Sequence, residues 1–275
     1  MTTGISTPPT PRARPPVELP ARWPWLVRGF RKYAVRYLRK HFHAVRISKA
    51  GATIPSGDDQ ILVAMNHSSW WDALTPIALL DEFPRDFEHF PAIDAVAVEK
   101  YPFFKRLGFF GVDPHSVRGA ASFLRTGEAI LSSPNRAVWV TAQGRFTDVR
   151  ERPLDLRSGV GHLAARMARG FVVPVAVEYP FWNERTPEAV IRVGDPLDVT
   201  AFPERSGKEW TARIQSALAA TMDGLAEDAK TRDPARFRTL IGGTVGVGGV
   251  YDRWRRLKSW ASGKKFDPSH GGAEA

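Results

Sequence analysis

The chain of 275 residues contains no cysteine. That excludes disulfide scaffolds, thiolate nucleophiles and metal sites built on thiolate. It also lacks any uninterrupted apolar run of the roughly 18–20 residues that cross a bilayer. The opening stretch MTTGISTPPTPRARPPVELP has no apolar core of the signal-peptide kind. These absences lead us to expect a cytoplasmic protein. No G-x-S-x-G elbow is present, which removes the usual serine-hydrolase signature. Acidic residues are missing altogether between Glu18 and Asp58.

What is present supports a sizeable core, with 43% hydrophobic and 11% aromatic residues. We expect a disordered Pro- and Thr-rich tail at 1–20, one folded domain at 21–235, and a separate Gly-rich and basic-aromatic segment at 236–275. The net charge of +10 calls for an anionic partner: nucleic acid, anionic lipid or a phosphorylated substrate.

The position of the charge narrows that choice. Trp23, Leu26, Val27, Phe30, Tyr33, Ala34, Tyr37 and Leu38 recur at spacings of three and four. Arg28, Arg31, Lys32, Arg36, Arg39 and Lys40 fall largely on the other side, which predicts an amphipathic helix over 23–44. A one-signed helix with tryptophan near its start suits an anionic membrane surface. An ordinary surface helix with its stripe on the core is the other reading. Tyr251, Trp254, Leu257 and Trp260 among Arg253, Arg255, Arg256 and Lys258 form a second candidate interfacial element. We therefore expect a peripheral position on the inner face of the cell membrane. No nucleic-acid-binding motif is recognisable, and no nucleic-acid partner is expected, although aromatics among basic residues could stack on bases.

Along the middle, Ile61–Met65, Ala95–Val98, Ala137–Thr141, Phe171–Val177 and Ala189–Val193 are predicted strands. Stretches 70–80, 117–132, 159–169 and 208–230 are predicted helices. The alternation predicts an α/β fold with a mixed, mostly parallel sheet flanked by helices.

The most informative stretch is QILVAMNHSSWWDALTPIALL. A strand runs into Asn66 and His67, Ser68 or Ser69 offers an N-cap, and Asp72 falls in the first turn, where a carboxylate is favoured. Chain reversal at the cap brings Asp72 back to the His67 ring. A neutral imidazole can take the proton of a hydroxyl as it attacks a thioester, and a carboxylate on the other ring nitrogen fixes the tautomer. His89 and Asp94 share the same spacing, but Pro91 separates them and no helix start is evident. His89 is therefore expected to be a solvated or packing histidine in a loop.

Residues NHSSWWD resemble the first motif of the glycerolipid acyltransferase superfamily, which includes the 1-acylglycerol-3-phosphate O-acyltransferases of phospholipid biosynthesis. That motif is Asn-His, four residues, then Asp. The resemblance covers roughly residues 40–200. LGFFGVDPHSVR is similar to the second block, with Pro114 where an arginine is expected and Arg118 as the nearest substitute. VWVTAQGRFTD is similar to the third, with Ala142 for proline, Gln143 for glutamate, Gly144 retained and Arg145 shifted by one place. FVVPVAVEY, with Pro174, resembles the fourth. The resemblance implies acyl transfer to a lipid hydroxyl, with His67 as general base oriented by Asp72. It implies Asn66, Arg118, Gln143, Gly144 and Arg145 as substrate-binding residues. Acyl-CoA or acyl-carrier protein would be the co-substrate, with no metal and no bound organic cofactor. The neutral Gln143 and the displaced arginines point away from lysophosphatidic acid and toward a glycolipid, a hydroxylated isoprenoid, a carotenoid glycoside or another lysolipid. Two other readings stay open: a catalytically silent membrane-associated relative, and a basic nucleic-acid-binding protein.

Overall fold

The computed structural model describes residues 17–57, 59–202 and 206–243. Most of the expected N-terminal tail and the stretch 251–260 lie outside the described residues.

Helix α1 spans Pro24–His41. Proline in its first turn costs no intrahelical bond, and Arg39, Lys40 and His41 in its last turn complement the helix dipole. The predicted helix ran on to residue 44, but Phe42 is already extended and Ala44–Ser48 form strand β1. Strand β2 (Gln60–Met65) follows. It leads into two 3-10 segments, Trp70–Ala73 and Thr75–Glu82, in place of the single helix predicted there. Pro76 has no N–H for a helical bond, and the Thr75 hydroxyl donates to the Trp71 carbonyl at 3.0 Å.

Strand β3 (Glu88–Asp94) is followed by helices α2 (Ala95–Lys100) and α3 (Phe103–Arg106). The predicted strand at 95–98 is thus corrected to a helix. Asp94 caps it, accepting from the Val96 amide at 2.7 Å. A cap outweighs the strand preference of two valines in so short an apolar run. After β4 (Phe110–Val112) come α4 (Val117–Leu131), β5 (Arg136–Thr141), α5 (Gly159–Ala164), β6 (Phe171–Glu178), β7 (Glu188–Val193), β8 (Leu197–Asp198), α6 (Gly207–Lys230) and β9 (Phe237–Gly242). Helix α5 is shorter than the predicted 159–169.

The sheet order is β4-β3-β5-β2-β6-β7-β1-β9, with β8 paired to β6. Pairing is parallel from β4 through β6 and again between β7 and β1. It is antiparallel at β6–β7, β1–β9 and β6–β8. This is a mixed, mostly parallel sheet flanked by helices, as expected. Strand β9 carries the sheet past residue 235, into the stretch assigned to the C-terminal segment. Successive β2 residues alternate between two cores. Leu62 and Ala64 pack with the α4, α5 and α6 side, whereas Ile61, Val63 and Met65 pack with α1 and the 3-10 segments. Of the α1 stripe, Ala34 and Leu38 are buried in that second core.

His89 lies within β3, not in a loop, and it packs edge-on against Phe83. The Trp139 indole donates to its Nδ1 at 3.1 Å. Burial, helped by Arg22 and Arg31, lowers its pKa from 6.5 to about 3. Between those values the unfolded chain holds a proton that the folded one does not. Stability contributed by neutral His89 is therefore complete above pH 6.5 and is lost as pH falls toward 3. The slope approaches about 1.4 kcal/mol per pH unit. His89→Gln is expected to flatten this slope in urea titrations run across that range. Identical slopes for both proteins would show that another group is responsible.

Candidate functional site

The C-terminal ends of β5, β2 and β6 lie side by side, the place where open α/β sheets receive ligands. Asn66, just past β2, is buried and gives its amide to the backbone of β6. Its Nδ2 donates to the Val177 carbonyl at 2.9 Å, and its Oδ1 accepts from the Val177 N–H at 2.8 Å. This locks the β2 terminus to its neighbour. On the other side the Ala142 N–H donates to the Met65 carbonyl at 2.8 Å. The buried Gln143 then accepts from the His67 N–H at 2.8 Å, and the Thr147 N–H donates to the His67 carbonyl at 2.8 Å. The His67 backbone is thus held from both ends.

Ser69 opens the first 3-10 segment as its N-cap and pairs reciprocally with Asp72. The Asp72 carboxylate is fully buried. Its Oδ2 accepts from the amides of Ser68 at 2.7 Å and Ser69 at 2.8 Å, and it meets His67 Nδ1 at 2.9 Å. Its Oδ1 accepts from the Tyr179 hydroxyl at 2.6 Å. Burial, and next the Asp72 charge, push the Tyr179 pKa well above its ordinary value, so the phenol stays a donor. With Nδ1–H given to Asp72, Nε2 of a neutral His67 ring carries the lone pair and is free to accept a proton. Ser68 contributes its amide alone, because its buried hydroxyl has no partner among the described residues.

A cavity of about 660 Å³ begins at His67 and Asp72. Trp70 and Phe146, both largely exposed, stand beside the ring, and the Phe146 ring centroid is 4.3 Å from that of His67. The walls are mostly apolar, with Val27, Phe30, Leu80, Ile93 and Phe104 among them. Among the described residues no group of three or more His, Asp or Glu side chains could hold a metal ion.

Of the site residues expected from sequence, Asn66, His67, Asp72 and Gln143 converge here. Arg118 and Arg145 do not line the cavity. Arg118 is exposed in the first turn of α4. Arg145 is exposed and paired with Glu151 at 2.9 Å. Gly144 has φ 63°, and an added Cβ would lie 2.9 Å from the Arg157 side chain, so the turn itself requires glycine there. Sequence reasoning missed Tyr179, Phe146 and Thr147. The aromatic at the end of FVVPVAVEY was visible, but nothing local connects it to Asp72.

Tyr179→Phe leaves one oxygen of a buried carboxylate without its donor. Stability is expected to fall by about 1–3 kcal/mol. If Tyr179 positions Asp72, turnover should also fall, with little change in the KM for donor. Unchanged turnover in a folded variant would leave Tyr179 a purely structural role.

Residues 43–178 match the family model described as Acyltransferase. No curated protein matches the chain.

Proposed function

The chain belongs to the acyltransferase family through the domain it carries, and on that premise we propose that it moves a fatty acyl group from a thioester onto a lipid hydroxyl. The donor is acyl-CoA or acyl-carrier protein. His67 Nε2 takes the hydroxyl proton as the oxygen attacks the thioester carbonyl. The carbon–sulfur bond then breaks, and the departing thiolate recovers that proton from the imidazolium. Asp72 stabilises the imidazolium while it exists. The observation that carries this reading is the 2.9 Å contact between His67 and a buried carboxylate, at the mouth of an apolar cavity. The cavity is of a size and polarity that suit an alkyl chain.

For the acceptor we favour a glycolipid, a hydroxylated isoprenoid or a lysolipid other than lysophosphatidic acid. Supporting this, Arg118 stands away from the cavity wall and Arg145 is engaged with Glu151. A bidentate phosphate clamp needs free guanidinium groups that converge on the site, and the two arginines that do line the cavity, Arg22 and Arg31, are engaged with Glu88 and Asp81.

The membrane is met peripherally in this proposal. Among the described residues no helix is long and apolar enough to cross a bilayer. Trp25 and Tyr33 on α1 and Trp70 at the cavity are 61%, 57% and 60% exposed. Together with the basic residues of α1 they suit an anionic headgroup layer that offers chains directly to the cavity. Replacing both Trp25 and Tyr33 by alanine is expected to weaken binding to anionic liposomes by at least about tenfold. Equal flotation of both proteins would sink the assignment of α1 as the anchor.

The activity itself is tested by giving purified protein each donor with a lipid extract, then following thiol release and identifying the product by mass spectrometry. Turnover that requires lipid supports the reading. No turnover with either donor across glycolipid, isoprenoid and lysolipid acceptors overturns it.

A further inference from the structure

The cavity that starts at His67 is apolar along most of its wall, but it contains hydrogen-bond donors far from the imidazole. His89 pairs with Ala137 of β5, which pairs in turn with Ile61 of β2. His89 is therefore level with a residue six positions before His67, roughly 20 Å away along the strand direction. That is the scale of a long acyl chain. His89 and Arg22 both line the cavity.

Each has a donor left over among the described residues. Trp139 already occupies His89 Nδ1, so the neutral ring carries its hydrogen on Nε2. Among the described residues that Nε2–H has no partner. Arg22 gives Nη1 to Glu88 at 2.8 Å, while its buried Nε has no acceptor among the described residues. Gly108 packs against the His89 backbone and the Arg22 side chain. A Cβ there would lie 2.8 Å from the His89 carbonyl oxygen and 3.0 Å from the Arg22 side chain. Arg31, which lines the same cavity and pairs with Asp81, adds to the positive potential. Water can satisfy Nε2–H while the cavity is empty. A plain alkyl chain expels that water and offers nothing in return, whereas an oxygen substituent restores the bond.

We propose that this cavity selects acyl chains bearing a hydroxyl or keto oxygen toward the end remote from the thioester, with His89 as the donor that reads it. The inference rests on the acyl-transfer reading for the identity of the chain. It is tested without requiring transfer. Displacement of a fluorescent fatty acid from the full chain would compare a saturated long-chain acid with matched acids hydroxylated at successive positions. Rates with the corresponding acyl-CoA donors would be measured in parallel.

A distal hydroxyl is expected to tighten binding roughly three- to tenfold. His89→Phe should erase that preference. His89→Gln, which keeps an N–H, should retain part of it. Wild-type protein that binds the plain acid as well or better, or that binds no fatty acid, overturns the proposal whatever the variants do. A preference in binding without any acyl transfer would uphold this inference and sink the activity. Transfer without preference would do the reverse.

Discussion

Replacing His67 by alanine is expected to lower kcat/KM for acyl transfer by roughly 10²–10⁴ while leaving the fold in place. The size follows from the chemistry, because an unassisted lipid hydroxyl is a poor nucleophile near neutral pH. Asp72 is sealed under Tyr179, Ser68 and Ser69, and the Ser68 hydroxyl is buried. The fold should survive because Asp72 keeps three of its four hydrogen bonds when the imidazole is removed. Initial rates of thiol release with lipid acceptor, beside a thermal melt, provide the check. A folded variant that retains more than a few per cent of wild-type turnover would remove His67 from the general-base role.

The elements that were legible in the sequence share one physical property. Strands β2, β5 and β6 are covered on both faces and read as apolar runs, and β7 reads as one through Ala189, Val190 and Ile191 before Arg192. Strand β1 escaped because Arg46 interrupts AVRIS. That arginine is buried, donating to Glu188 at 2.9 Å and to Thr239 at 2.8 Å, partners 142 and 193 residues away. Strand β9 was lost among glycines at the sheet edge. The run AVAV was misassigned because local apolarity cannot distinguish a strand from a buried helix turn. The deciding group was the Asp94 carboxylate one residue earlier.

The same division holds at the site. His67 and Asp72 are five residues apart and are joined by a single capped turn, so spacing and cap chemistry sufficed to place them together. Tyr179 reaches Asp72 across 107 residues, through the adjacency of β2 and β6. No local pattern encodes that. Asn66 and Gln143 were visible as residues of interest, yet their side-chain oxygens serve backbone amides. They hold the strand ends that present His67. The second and third blocks of the resemblance were the least transferable, because an arginine displaced along the chain points in a different direction.

Asp72 offers the sharpest separation of charge from scaffold. Asp72→Ala would leave the amides of Ser68 and Ser69 and the Tyr179 hydroxyl without their acceptor. Each unsatisfied group costs about 1–3 kcal/mol, so that variant would test stability more than catalysis. Asp72→Asn is the informative change. Its amide oxygen can keep the place of Oδ2, accepting from both backbone amides and from His67 Nδ1–H. Its NH₂ then occupies the place of Oδ1, and the Tyr179 hydroxyl must turn to accept from it. The turn survives and the ring keeps its orientation, but the negative charge opposite the forming imidazolium is gone. We expect kcat to fall by roughly 10²–10³, the scale of one preorganised electrostatic contact to charge developing in the transition state. The KM for donor should change little, since the substitution is isosteric and leaves the apolar wall of the cavity as it is. A urea titration beside the kinetics would separate the two effects. Loss of turnover in a stable Asn variant assigns Asp72 an electrostatic role in the transition state. Turnover within a few-fold of wild type would reduce Asp72 to a cap and leave His67 without the partner that the proposed mechanism requires.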